Sequence, residues 1–312
     1  MFMRVPFAML AVTVVWSTPV QAVDNIRYVS TSGNNANTCT LSAPCRSLQR
    51  GINVTPANGE LRILDSGDYG PTAAIARSVT ITGNGHTVIL GNPMTINQAN
   101  ATVVLRGLTL DGQRTVLHGI NIVNAAKVHI EQSVIHHFTG QGIRATAAGV
   151  DVFVLDSISR DNGSDGLLIG AETSRLTIDN SRFENNSGGG IDVGGGIATI
   201  HRSIASGNAT HGIAAVDNSV TVTLTSSVTA QNGSTGIFVV SGSTLAMESS
   251  LAHGNGDGLF VANGSTARIS NSTFTNNTTG INNGGTVETR QNNTVRGNTT
   301  NVVGALTPLG AL

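Results

Sequence analysis

Residues 176–193 read "LTIDNSRFENNSGGGIDV". Apolar residues alternate at Leu176 and Ile178 and again at Ile191 and Val193, with Phe183 between, while Ser181, Asn186 and Gly190 punctuate the runs. Alternation of period two marks strands with one buried face. The runs are too short for helices, and Ser, Asn and Gly break them. The same frame returns at 222–239 as "VTLTSSVTAQNGSTGIFV". Its Asn recurs at Asn162, Asn186, Asn208, Asn232, Asn255, Asn277 and Asn298, in steps of 24, 22, 24, 23, 22 and 21 residues. A Gly follows three or four residues later, at Gly166, Gly190, Gly212, Gly236, Gly258 and Gly280, and Ser forms a third column from Ser133 to Ser272.

Three short strands per ~22 residues cannot pair with one another in compact hairpins, but each can pair with its counterpart in the next repeat. The result is an all-β coil of stacked rungs, each ~4.8 Å above the last. In that coil Asn takes the left-handed turn conformation and bonds to the Asn one rung away, and Gly permits the bend before the next strand. Ile143, Leu167, Ile191, Ile213, Ile237, Leu259 and Ile281 form an inward stack. Upstream, "VTITGNGHTVIL" (79–90) and "TVVLRGLTLDG" (102–112) extend the coil, giving ten or eleven rungs over residues 60–304. Solenoid ends need caps. Residues 23–59 supply one, with a strand at "IRYVS" and a short amphipathic helix at "SLQRGINV"; the tail 305–312 follows the last degraded repeat.

Charged residues are only 11% of the chain, net charge is −1, and Lys127 is the only Lys, so no basic surface is available for nucleic acid. Residues 1–22 combine Arg4, an apolar stretch and a small-residue site ending at Ala22, the pattern of a cleaved export signal. This predicts a secreted or periplasmic protein, and no later segment could insert into a membrane. In that compartment the close pair Cys39 and Cys45 is expected to form a disulfide.

These features resemble the secreted bacterial right-handed parallel β-helix repeat proteins of the pectin-lyase-like superfamily. The resemblance rests on the "C…PCRSLQRGI" entry to the coil, the N-x-x-x-G-I/L rungs and the "NNTVRGNTTN" exit, and it covers nearly the whole mature chain. It implies a right-handed coil and a polysaccharide as the partner class. That superfamily includes lyases, hydrolases, epimerases and adhesins, so the fold does not name an activity. In polygalacturonases the acids and a His stand just before the Gly-apolar pair of successive rungs. Here that column includes Gln141, Asp165, Gly189 and His211. Asp165 and His211 therefore become candidate catalytic residues. The rung between them, where paired acids are expected, has Gly188 and Gly189, and the basic pair expected beyond His211 is missing. Inverting hydrolysis needs two carboxylates, and Asp192 is the available second one. Two function classes follow: an exported binding or display module, favoured by the missing acids, and a lyase or hydrolase with a divergent site.

Residues 161–172, "DNGSDGLLIGAE", nearly match a helix-flanked calcium loop, but the flanks here are strands. Asp161 and Asp165 remain candidate metal ligands, with Ca²⁺ the one candidate ion and no cofactor otherwise expected. Eight of the chain's 18 acids fall between Asp151 and Asp192, interleaved with Arg144, Arg160, Arg175 and Arg182. This patch can face a uronate, Arg144 being the candidate substrate contact, or can be a solvated face with local ion pairs. Phe238 and Phe260 occupy outward positions on adjacent rungs and offer a sugar platform. In "IHHF", alternation sends one of His136 and His137 inward and the other outward, a structural arrangement with no acid nearby.

Overall fold

A computed structural model describes residues 25–309 except 72 and 218. The export signal assigned to residues 1–22 lies outside the described residues. The chain winds as a right-handed parallel β-solenoid of about eleven turns. Among the described residues the strands form three sheets of 13, 11 and 11 strands, and a typical turn lays one strand in each. Sheet one contains Asp151–Leu155, Arg175–Asp179 and Ile197–His201, paired parallel and in register. Sheet two contains Ile158–Arg160, Arg182–Glu184 and Ile204–Ser206. Sheet three contains Leu167–Ile169, Ile191–Val193 and His211–Ala215.

The alternating residues fill one continuous core. Ile143, Leu167, Ile191, Ile213, Ile237, Leu259 and Ile281 are each at most 2% exposed and lie in register on sheet three. The Asn column forms the expected ladder. Nδ2 of each Asn from Asn162 to Asn277 donates to Oδ1 of the next, at 2.9–3.1 Å. The same oxygens accept the backbone N–H of the Asn one rung earlier. A buried amide left unpaired costs about 1–3 kcal/mol, so a fully bonded ladder is what allows polar side chains inside the coil. Ser133, Ser157, Ser181, Ser203, Ser227 and Ser250 each donate a backbone N–H to the next Ser Oγ, a second ladder at the other corner.

Two expectations about the columns are corrected. The left-handed residue is the one before each ladder Asn, not the Asn: Asp161 (φ 56°), Asn185 (53°), Gly207 (67°), Gln231 (55°), Gly254 (69°) and Asn276 (57°). That single residue turns the corner and leaves the Asn free to point inward. The Gly column does not serve a bend either, since its φ values are not positive. A Cβ on Gly190 would lie 2.6 Å from the Gly212 carbonyl oxygen and 2.9 Å from Asn208 Nδ2, and one on Gly212 2.7 Å from the Gly236 oxygen and 2.8 Å from Asn232 Nδ2. Gly is required because the next rung's ladder occupies that volume.

At the entry, Ile26–Val29 pairs with Gly59–Ile63, so the cap supplies the first strand of sheet one. The helix Leu48–Val54 is capped by Ser47, whose side chain accepts from Arg50 N. Gly51 lets it approach the sheet, for a Cβ there would meet Val29 Cγ1 at 2.6 Å. Cys39 and Cys45 are disulfide-bonded. Asp65 accepts from Ser30 Oγ (2.7 Å), Thr31 N (2.8 Å) and the Tyr69 hydroxyl. At the exit, Thr307–Pro308 pairs with Glu288 and Thr289, so the tail adds a last strand to sheet one. No helix among the described residues is long and apolar enough to cross a membrane.

Candidate functional site

The period-two alternation that buries Ile143 and Ala145 turns Arg144 outward, and the same holds rung by rung along sheet three. Arg144, Leu168, Asp192, Ala214, Phe238 and Phe260 are successive partners in one outward column. The column before the Gly runs beside it: Thr235 pairs with both His211 and Asp257. Five rung steps separate Arg144 from Phe260, about 24 Å along the coil.

The centre of this face is a dyad. His211 Nε2 lies 2.6 Å from Asp192 Oδ1, one rung back, and both side chains are largely covered. Its ring stacks on Phe238, one rung forward, with centroids 5.8 Å apart and an 8° interplanar angle. Phe238 in turn stacks on Phe260 at 5.3 Å and 18°. His211 therefore links three rungs. The two glycines that stand where paired acids were expected make room for these groups. A Cβ on Gly189 would lie 2.6 Å from His211 Nε2 and 2.7 Å from Asp192 Oδ1, and one on Gly188 would lie 2.4 Å from Asp165 Oδ1. Asp165 Oδ1 accepts the Gly189 N–H (2.8 Å), and its Oδ2 accepts from Gln141 Nε2 and Ser164 Oγ, both at 3.2 Å. Asp165, Asp192 and His211 thus share one face, on three successive rungs.

Arg144 differs from the other Arg residues of the acidic stretch. Arg160 is ion-paired with Asp161, Arg175 with Asp151 and Arg182 with Glu184. Among the described residues Arg144 meets only the neutral Asn121 Oδ1, at 3.2 Å. Beside it, burial, and secondarily the Arg144 charge, holds His118 below the usual imidazole range, and His118 Nδ1 is buried without a hydrogen-bond partner among the described residues. Beyond Phe260, Asn282 Nδ2 donates to Asp257 Oδ2 at 3.0 Å, a pair that extends the same two columns and was not singled out from sequence.

The remaining acids do not gather into a calcium cage. Asp161 follows a sheet-two strand and pairs with Arg160, whereas Asp165 precedes a sheet-three strand. Asp179 pairs with Arg202 on sheet one, which lowers its carboxyl below the usual range. Ca²⁺ takes 6–8 oxygen ligands, and these acids are spread over three faces with separate partners. An indentation on the outer face of sheet one, between Thr225, Glu248, Arg268 and Arg290, carries an Arg268–Glu288 ion pair and lies away from the dyad.

His136 and His137 correct the alternation argument. His137 has φ 59° and occupies the corner column that elsewhere carries Asp161. The turn brings its ring to the same side as His136, with the two Nδ1 atoms 3.0 Å apart, and an acid is present, Asp111, one rung back. Burial lowers His136 below the usual imidazole range against the opposing pull of Asp111.

Comparison with known proteins agrees with the architecture. A family model described as "Right handed beta helix region" matches residues 28–250 and 161–300. No curated protein sequence matches the chain. Among solved structures, the A-module of the mannuronan C-5 epimerase AlgE6 of Azotobacter vinelandii is 16% identical, aligns over 85% of this chain and 94% of its own, and has a TM-score of 0.61. Pectate lyase Pel9A is 16% identical over 85% and 74% of the two chains, with a TM-score of 0.56. The AlgE4 A-module of the same organism is 17% identical over 85% and 92%, at 0.53. At these identities the likeness is one of fold.

Proposed function

The chain belongs to the right-handed β-helix family, and from that premise we propose that it is an exported module whose sheet-three face binds a linear, uronate-bearing polysaccharide. The observation that carries this reading is the straight array from Arg144 through the Asp192–His211 dyad to the stacked Phe238 and Phe260. Aromatic faces pack against the apolar faces of sugar rings. A guanidinium without a carboxylate partner is suited to a uronate, which it can clamp through two parallel hydrogen bonds. The similar structures include a pectate lyase and two mannuronan epimerases, which supports an acidic glycan as the ligand class.

The dyad favours a second reading, a lyase or hydrolase with a divergent site. If Nε2–H is directed at Asp192, Nδ1 is the basic nitrogen of His211, and a neutral imidazole oriented by a carboxylate is a competent general base. Asp165, on the rung before Asp192, is then the available second acid. One experiment separates the two. The purified protein is titrated with polygalacturonate and with alginate, with and without Ca²⁺, and unsaturated products and new reducing ends are followed in parallel. Binding that falls at least tenfold in Arg144→Ala and Phe238→Ala, with no turnover, supports the binding module. Turnover that disappears in His211→Ala replaces it with the enzyme. Binding unchanged in both binding variants removes the sheet-three face from consideration.

A further inference from the structure

Asp111, His136 and His137 lie on the outer side of the coil at the end of sheet two, apart from the sheet-three face. One ligand atom from each lies within 4.8 Å of the other two. His136 Nδ1 and His137 Nδ1 are 3.0 Å apart, and His137 Nδ1 is 3.4 Å from Asp111 Oδ1. We propose that these three residues form a binding site for a divalent first-row transition ion of the Zn²⁺ class.

The geometry points to such an ion for three reasons. An ion with bonds of about 2.0–2.1 Å holds its ligand atoms about 2.9–3.4 Å apart, across the range from octahedral to tetrahedral angles. The two separations made by His137 fall in that range, and the third, between His136 and Asp111, lies within 4.8 Å and closes to it by a small side-chain adjustment around the ion. Second, two imidazoles and one carboxylate are borderline donors that suit Zn²⁺ and its neighbours. They do not suit Ca²⁺, which needs a fuller set of oxygens. Third, the convergence is specific to this rung. Adjacent residues of a strand normally point to opposite faces, and here the left-handed corner at His137 overrides that. The equivalent corners carry Asp161, Asn185, Gly207 and Gln231, with no second imidazole beside them.

The surroundings hold the donors in place. Gln113 N donates to Asp111 Oδ1 at 2.9 Å, and Arg114 N donates to the His137 carbonyl at 2.7 Å. Asp111 is the registered partner of His136, so the ion would join two rungs. The nearest cation on the following rung, Arg160, is already neutralised by Asp161. Asp111 has no Arg or Lys partner among the described residues, which leaves its charge for the ion.

The test uses untagged protein stripped with chelator and titrated with Zn²⁺ and, separately, Ca²⁺ by calorimetry, with Co²⁺ as a spectroscopic probe of imidazole coordination. One Zn²⁺ per chain is expected, with no competition from Ca²⁺ at equal concentration. Affinity should fall at least tenfold in Asp111→Asn and in His137→Asn, the latter chosen because Asn tolerates the left-handed corner. His211→Ala should bind as the parent does. Absence of Zn²⁺ binding, binding unchanged in both site variants, or loss of binding in His211→Ala would each overturn the assignment. Circular dichroism of each variant confirms that the coil is intact.

Discussion

At Gly189 the volume of one methyl group decides whether the dyad exists, since a Cβ there would fall within 2.7 Å of both His211 Nε2 and Asp192 Oδ1. Gly189→Ala is therefore expected to separate the pair and weaken glycan binding, or abolish any turnover, as far as His211→Ala does. Its thermal midpoint should stay near that of the parent, because the atoms it meets are the ends of the two dyad side chains and not core or backbone. The ladder obeys the opposite logic. Asn208 Oδ1 accepts from Asn186 N and Nδ2, and its own Nδ2 bonds to the Phe183 carbonyl and Asn232 Oδ1. Asn208→Ala leaves several buried groups short of partners, and a cost of about 3 kcal/mol is expected by denaturant titration. Asn263→Ala, at an exposed turn, should lie within about 0.5 kcal/mol of the parent.

Among the elements, the junction between the cap and the first rung is where pH should act. Burial alone would raise the Asp65 carboxyl, but hydrogen bonds from Tyr69, Ser30 and Thr31 outweigh it and hold Asp65 below the usual range. Burial and Asp65 together raise Tyr69. A carboxyl lowered in the folded state stabilises above its unfolded value of about 3.9 and loses that contribution as pH falls through the folded value. Asp65→Asn should be less stable than the parent at neutral pH, and the gap should close below about pH 3.9. Equal gaps at pH 7 and pH 2.5 would assign the effect to shape alone. The coil was legible in the sequence because each rung repeats the same packing problem, so Asn, Gly and the inward Ile recur in columns. The outward column was legible for the same reason, which is why Arg144, Asp192, Phe238 and Phe260 could be named. What single-rung reading missed lies between rungs or at corners. It assigned the left-handed φ to Asn instead of the preceding residue, and it separated His136 from His137. It also read Gly188 and Gly189 only as missing acids, because the space they leave is shared by Asp192 with Asp165 and His211, the last two more than 20 residues away.

Over the whole molecule, stability should sum turn by turn, because each rung contacts chiefly its neighbours. Residues 251–272 form one full period, since Leu251 pairs with Thr273 as the next strand's equivalent. A chain lacking them should fold with unchanged β-sheet circular dichroism and lose glycan affinity only as far as Phe260→Ala does. Collapse of the fold would refute the nearest-neighbour picture. The ladders also give the molecule a mechanical character. Sheet bonds and Asn bonds both run along the coil axis, so tension applied at the two ends does not shear a whole sheet. It opens the outermost turn first, then the next. Each opened turn of ~22 residues would release about 75 Å of chain, so the coil should extend as a series of near-equal steps, each at modest force.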